Sequence, residues 1–192
     1  MGVRFGRHAI AGIAAAVLAT AALEASALDR KDCERVYKPQ SGQDGKDVIW
    51  VPTPDELVAK MLEMAQVGPK DRVFDLGSGD GKIAIAAAKR GARATGIEYN
   101  PDMVKLARCY AEVAGVKDRA DIVHGDIFKE DFSSATVVTM YLLPELNLRL
   151  RPTILKMAPG TRVTSHAFTM GDWEPDAKFE VDFRTGYLWI VP

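Results

Sequence analysis

The chain has 192 residues, 47% of them hydrophobic, which suits one domain with a sizeable core. Its formal net charge is −1, and the 25 lysines and arginines are scattered among 26 acids, so no basic patch marks a nucleic-acid surface. Two cysteines exclude a disulfide framework, nothing repeats internally, and no segment is low in complexity. Cys109 falls inside a helical pattern and reads as a small core or boundary residue. Cys33 lies in a polar leader, where a free thiol and a pairing with Cys109 both stay open.

Arg4 and Arg7 precede an uncharged apolar run from Ala9 to Leu23, and Ala25-Ser26-Ala27 then offers small residues for cleavage. That is the layout of a secretory signal. The run is short for a spanning helix, which needs about 20 apolar residues, though an uncleaved anchor stays open. Residues 1–27 are therefore read as an address that places the protein in the cell envelope. A start site set too far upstream, with the protein in the cytoplasm, is the alternative.

Residues 28–49 read as an irregular polar leader and 50–192 as the domain proper. Thr53-Pro54-Asp55-Glu56 predicts a helix start with Thr53 as N-cap, proline at the first helical position and Glu56 completing a capping box. Leu57, Met61, Leu62 and Ala65 mark its apolar face, and Gly68-Pro69 ends it. A strand over 72–76 leads to a helix over 82–90, and a strand over 92–97 to a helix opened by Asn100-Pro101 and stopped at Gly115. A third strand, 121–124, runs into Gly125-Asp126-Ile127, and a fourth, 136–141, into a helix over 144–157. A fifth spans 161–168, and two last strands flank Thr185-Gly186 as a hairpin.

Strand and helix in alternation imply an α/β, Rossmann-like, doubly wound, mostly parallel sheet; the last two strands add a C-terminal antiparallel hairpin. Right-handed crossovers bring the C-terminal ends of the parallel strands to one rim, where such sheets bind ligands. Asp75, Glu98, Asp126 and Tyr141 all fall at such strand ends.

The run from Asp75 to Lys82 is a strand end passing into glycines at alternate positions, Gly77, Gly79 and Gly81. Glycines let a backbone approach a ligand closely, and the helix start leaves unpaired N–H groups beside it. Glu98, 23 residues after Asp75, is placed to accept from a ribose diol. A dinucleotide fingerprint would put its third glycine one position later, and no P-loop pattern is present. The acids Asp75 and Asp80 repel a pyrophosphate and favour a cationic sulfonium bearing an amino group. The loop fits S-adenosylmethionine.

These residues resemble the seven-strand class I methyltransferases. Val51-Pro52-Thr53-Pro54, Asp75 to Gly81, Glu98-Tyr99-Asn100-Pro101 and Trp173-Glu174-Pro175 resemble, in particular, the small membrane-associated protein-lysine methyltransferases of mitochondrial and bacterial type. The resemblance implies a methyltransferase acting on a protein with an accessible lysine, on membrane proteins in that family, and not on nucleic acid. It implies a cofactor site of Thr53, Asp75, Gly77, Ser78, Gly79, Asp80, Gly81, Glu98, Tyr99, Asn100, Asp126 and Ile127. Asp75 and the glycine loop would hold the methionine part, Glu98 both ribose hydroxyls, Tyr99 the adenine face, and Asp126 with the Ile127 N–H the adenine edge. Tyr141 and the carbonyls before Pro144 would hold the acceptor amine, on a segment bulkier than the family's usual one there. The N- or D-P-P-Y motif of amide- and adenine-amino methyltransferases is absent. A small-molecule methyltransferase, with Tyr141 and His166 around an oxygen or nitrogen acceptor and Asp172 near His166, is the rival. An exported binding module of the same fold without turnover is a further one.

Overall fold

The computed structural model describes Gly2 and residues 28–192; the apolar segment read as a signal lies outside the described residues. Seven strands form one sheet in the order β3-β2-β1-β4-β5-β7-β6. Chain order runs α1 (Arg30–Val36), α2 (Asp55–Met64), β1 (Arg72–Leu76), α3 (Lys82–Lys89), β2 (Arg93–Glu98), α4 (Pro101–Val113), β3 (Ala120–His124), β4 (Val137–Met140), α5 (Pro144–Ile154), β5 (Arg162–His166), β6 (Ala177–Val181) and β7 (Arg184–Ile190). The five strands β1 to β5 are parallel, while β7 pairs antiparallel with both β5 and β6.

Side chains alternate across the pleat, so each strand feeds two apolar layers. Val73, Ala94, Ile122 and Val137 pack under α2, α3 and α4. Phe74, Leu76, Ile97, Val138, Met140 and Val163 face the other way, against Leu150 and Ile154 of α5 and the fully buried Trp189. Runs buried on both faces are what a parallel sheet between helices requires. The order reverses between β1 and β4, which are neighbours, and the loops after them open at one rim.

Three local expectations are corrected. The leader is not wholly irregular: Asp29 accepts from the Asp32 N–H and Asp32 from the Asp29 N–H, a reciprocal cap that starts α1. Pro54, not Thr53, is the N-cap of α2, because the Thr53 hydroxyl is buried and taken by His166 at 3.1 Å. The closing hairpin turns at Asp182-Phe183, both left-handed (φ 48° and 63°), and Gly186 lies inside β7. A Cβ on Gly186 would stand 2.2 Å from Phe179 Cε2, so this glycine makes room for a side chain rather than a turn.

One pairing left open is settled: Cys33 and Cys109 form a disulfide that ties α1 to α4 across 76 residues. Around it the Arg30 guanidinium sits 3.7 Å from the Tyr110 ring centroid, and the Tyr110 hydroxyl donates to Glu34. Trp173 caps the sheet: its ring packs on Trp189 and its carbonyl accepts from the Trp189 indole. Among the described residues no helix is long and apolar enough to cross a membrane.

Candidate active site

The glycine loop leaves β1 beneath the end of β2: Gly77 and Ser78 both donate their N–H to the Ile97 carbonyl at 3.0 Å. Gly77 and Gly79 have positive φ (74° and 55°), a backbone region that side chains resist. Gly81, the N-cap of α3, serves packing: a Cβ there would meet Ala107 Cβ at 2.9 Å. Glu98 clamps the loop to the next helix. One carboxylate oxygen accepts from the Gly79 N–H and the other from the Asn100 N–H, both at 2.8 Å. Asn100 in turn caps α4, its Oδ1 accepting from Asp102 and Met103. Each Glu98 oxygen keeps a further lone pair for a diol.

Beneath the loop lies an unusual charge. Asp75 is 2% exposed. Its Oδ1 accepts from the Thr139 hydroxyl at 2.7 Å, on the neighbouring strand in register, and its Oδ2 has no partner among the described residues. Burial pushes its carboxyl up to about 7 against the pull of the Thr139 bond, and the charges of Asp80 and Glu98 add to the rise. Burial raises Asp80 as well, with Lys82 opposing. Lys82 itself turns outward to Asp55 at 2.9 Å. The Ser78 hydroxyl is a second buried polar atom without a partner. Converging carboxylates and two orphaned polar atoms fit a ligand that brings positive charge and hydrogen-bond donors.

Loop and strand ends enclose a cavity of about 310 Å³. Of the residues expected at the site, Thr53, Asp75, Gly77, Ser78, Gly79, Asp80, Glu98, Tyr99, Asn100, Asp126, Ile127 and Tyr141 all line it. Gly81 and Pro144 do not: Gly81 packs the helices, and Pro144 is the exposed first residue of α5. Asp126 behaves as a turn residue on one oxygen, which accepts from the Phe128 N–H, while the other accepts from Lys46 Nζ at 2.8 Å. That lysine, from the leader, holds the Asp126 carboxyl below its ordinary range.

At the far end of the cavity the Tyr141 ring packs on His166, with centroids 3.8 Å apart, and on Phe168 at 6.3 Å. Burial, with Arg184 nearby, lowers His166 to about 4, so its imidazole is neutral at neutral pH. Its expected neighbour Asp172 is elsewhere, paired with Arg151. Leu142, Leu143 and Leu146 complete this wall, and Ile49, Val51 and Leu143 are exposed among the cavity's lining residues. Sequence reasoning missed the leader residues 43–49, Lys46 among them, and Trp50 beyond the leader, all of which line the cavity. Their only signal was the Val51-Pro52-Thr53 similarity next door.

A seven-strand sheet with this order, a glycine loop after β1 and an acid ending β2 define a class I methyltransferase dependent on S-adenosylmethionine. The crystal structure of an RNA methyltransferase from Salinibacter ruber in complex with S-adenosyl-L-homocysteine superposes with a TM-score of 0.72. It is 50% identical in sequence over 74% of this chain and 94% of that one. The chain belongs to the family of the ANTKMT methyltransferase domain, whose model matches residues 75–177. A relative from Saccharolobus islandicus (strain REY15A), named protein-lysine N-methyltransferase, is 44% identical over 75% of this chain and 94% of its own length. The adenine nucleotide translocase lysine N-methyltransferase of Mus musculus is 36% identical over 57% of this chain and 49% of its own length.

Proposed function

We propose that this methyltransferase modifies a lysine side chain of a protein, and that the cavity holds cofactor and acceptor end to end. The observation that carries the acceptor is the wall of Tyr141, Leu142, Leu143, Leu146 and Phe168 beside a neutral His166. An amine with a reference pKa of about 10.4 reacts only after losing its proton, and a dry apolar slot lowers that pKa. The exposed Ile49, Val51 and Leu143 suit the aliphatic stem of a lysine. The relatives named for lysine methylation support the same reading.

When bound, the cofactor supplies a methyl group on a sulfonium. The chain's own residues then position and exclude water. Asp75, beneath the loop Gly77 to Asp80, would face the cationic amino-acid end. Glu98 would receive the ribose diol on its remaining lone pairs, Tyr99 would offer its ring to the adenine face, and Asp126 and Ile127 would close the adenine edge. His166, fixed by Thr53, holds the Tyr141 ring, so that the Tyr141 hydroxyl and nearby carbonyls orient the amine.

The name of the Salinibacter ruber structure favours RNA as acceptor instead. Against that stand the net charge of −1, the absence of a basic stripe, and Tyr141-Leu142-Leu143-Pro144 in place of a base-amino motif. We also propose an envelope location: residues 1–27 have a signal's layout, and the Cys33–Cys109 disulfide agrees with an oxidising compartment. A membrane protein is then the natural acceptor, and the relative named for a translocase supports that choice.

The test has two arms. Titration calorimetry should show S-adenosylmethionine binding that Glu98→Ala weakens at least about 100-fold, since that carboxylate also clamps the loop. Incubation of the chain with radiolabelled cofactor and a membrane lysate should put label on protein lysines. Label confined to RNA or to small molecules would refute the lysine assignment.

A further inference from the structure

The leader crosses over the cavity in an ordered way. Gly42 donates its N–H to the Trp50 carbonyl at 2.8 Å and Trp50 to the Gln43 carbonyl at 2.9 Å, a two-bond rung that closes the loop 44–49. The Gln43 side chain fixes its base, donating to the Tyr37 hydroxyl and accepting from the Gln40 N–H. Gly45 is crowded: a Cβ there would stand 2.2 Å from the Val48 carbonyl oxygen.

Two side chains of this loop reach into the site. Lys46 Nζ is 2.8 Å from Asp126 Oδ2 and 4.7 Å from the Tyr99 ring centroid. The Trp50 indole lies on the glycine loop: a Cβ on Gly79 would meet its Nε1 at 2.5 Å. Gly79 therefore leaves room for the leader as well as for a ligand.

Apolar contact between the leader and the core comes from Cys33 and from the half-buried Tyr37 and Trp50. Between residues 28 and 52 Cys33 alone is buried, and α1 has seven residues, too few to hold itself as a helix. The covalent link from Cys33 to Cys109 fixes the leader to α4, the helix whose N-terminus Glu98 and Asn100 organise.

We propose that residues 42–53 are a strap completing the cofactor site, that Lys46 is a cofactor-positioning residue at its adenine end, and that the Cys33–Cys109 disulfide seats the strap. The inference rests on the cavity being the cofactor's, as read above. From its place beside Asp126 and Tyr99, Lys46 would donate to the adenine edge of the bound cofactor, and Trp50 roofs the glycine loop. Affinity for the cofactor then follows the oxidation state of this cysteine pair.

The experiment measures S-adenosylmethionine binding by calorimetry on the full chain, as wild type, Cys33→Ser/Cys109→Ser, Lys46→Met and the triple variant. Circular dichroism and thermal melts establish that each is folded. The expected result is a Kd raised at least about tenfold without the disulfide, by lost preorganisation. Lys46→Met should raise it about three- to tenfold with the disulfide intact, and should add little once the disulfide is gone. If the cysteine variant does not fold, the wild type reduced with a phosphine, its free thiols counted by mass, takes its place.

Glu98→Ala separates the two readings. If it abolishes binding while the unlinked protein and Lys46→Met stay within about twofold of wild type, the strap proposal is overturned and the cofactor site stands. If Glu98→Ala leaves binding unchanged, the cofactor site itself falls. A Lys46→Met effect equally large with and without the disulfide would overturn the link between cysteine pair and strap.

Discussion

Replacing Asp75 with asparagine should stabilise the ligand-free fold while damaging the site. The carboxyl is fully buried, with one oxygen unpartnered, and is raised from 3.8 to about 7 chiefly by desolvation. Between those values the folded protein keeps a proton that the unfolded chain has lost, so stability falls as pH rises through this window. One pKa unit corresponds to about 1.4 kcal/mol, so the buried carboxyl costs the fold about 2 kcal/mol at pH 5, where the folded state keeps its proton, and about 4 kcal/mol at pH 8. The asparagine amide is neutral throughout, and its carbonyl still accepts from Thr139. Asp75→Asn should therefore melt higher than wild type at pH 8, by about 8–16 °C if the full 4 kcal/mol is recovered, and by much less at pH 5. Urea titrations at both pH values measure the gap directly. Cofactor binding, followed by calorimetry, should be lost in the variant and in the wild type should strengthen as pH rises through 7. A variant no more stable than wild type at pH 8, or a gap independent of pH, would refute the buried-charge reasoning.

Gly186→Ala should cost about 1–3 kcal/mol by overpacking against Phe179, read by urea denaturation; the pair with Phe179→Leu should recover part of it, and full stability of the single variant would contradict the packing. His166→Asn removes the ring on which Tyr141 packs. It should lower kcat about tenfold and leave cofactor Kd within about twofold; equal losses in both would move His166 to the cofactor end. Arg162→Met strands Asp71, which Arg162 and Thr136 hold below the ordinary carboxylate range. A loss of about 3–5 kcal/mol at pH 7 should shrink as the pH falls far enough to protonate the Asp71 carboxyl, because that carboxyl is lowered in the folded protein and its stabilising contribution is lost in acid.

The parallel core was legible because its residues obey local rules. Strands β1 to β4 are short apolar runs, each followed by its glycine, acid or proline, and α3 and α4 carry apolar stripes with recognisable ends. The site followed, since topology alone brings the ends of β1, β2 and β4 together. What stayed hidden depends on partners far along the chain. The helix α1 has a local Asp29–Asp32 cap but one buried residue and no stripe, and its pairing with Cys109 and Tyr110 holds it to the fold. Thr53 has the look of a cap, but a hydroxyl buried beside His166 binds the ring instead. The hairpin turn misled for a related reason: glycine marks a turn locally, whereas Gly186 answers to the Phe179 ring across the strand pair. Lys46 is one lysine among many until the fold puts it on Asp126.

The contacts that close the cavity are the longest-range ones in the site. Cys33 meets Cys109, Lys46 meets Asp126, and Thr53 meets His166, at separations of 76, 80 and 113 residues. Each must wait for its distant partner to emerge and for the sheet to order, because closing long loops precedes the reward of the contact. The Thr53–His166 contact, in particular, must wait for β5. A growing chain that has reached α4 owns the glycine loop and Glu98 and still has no enclosed chamber. The full set of these long-range contacts is complete only with β5, when most of the polypeptide already exists.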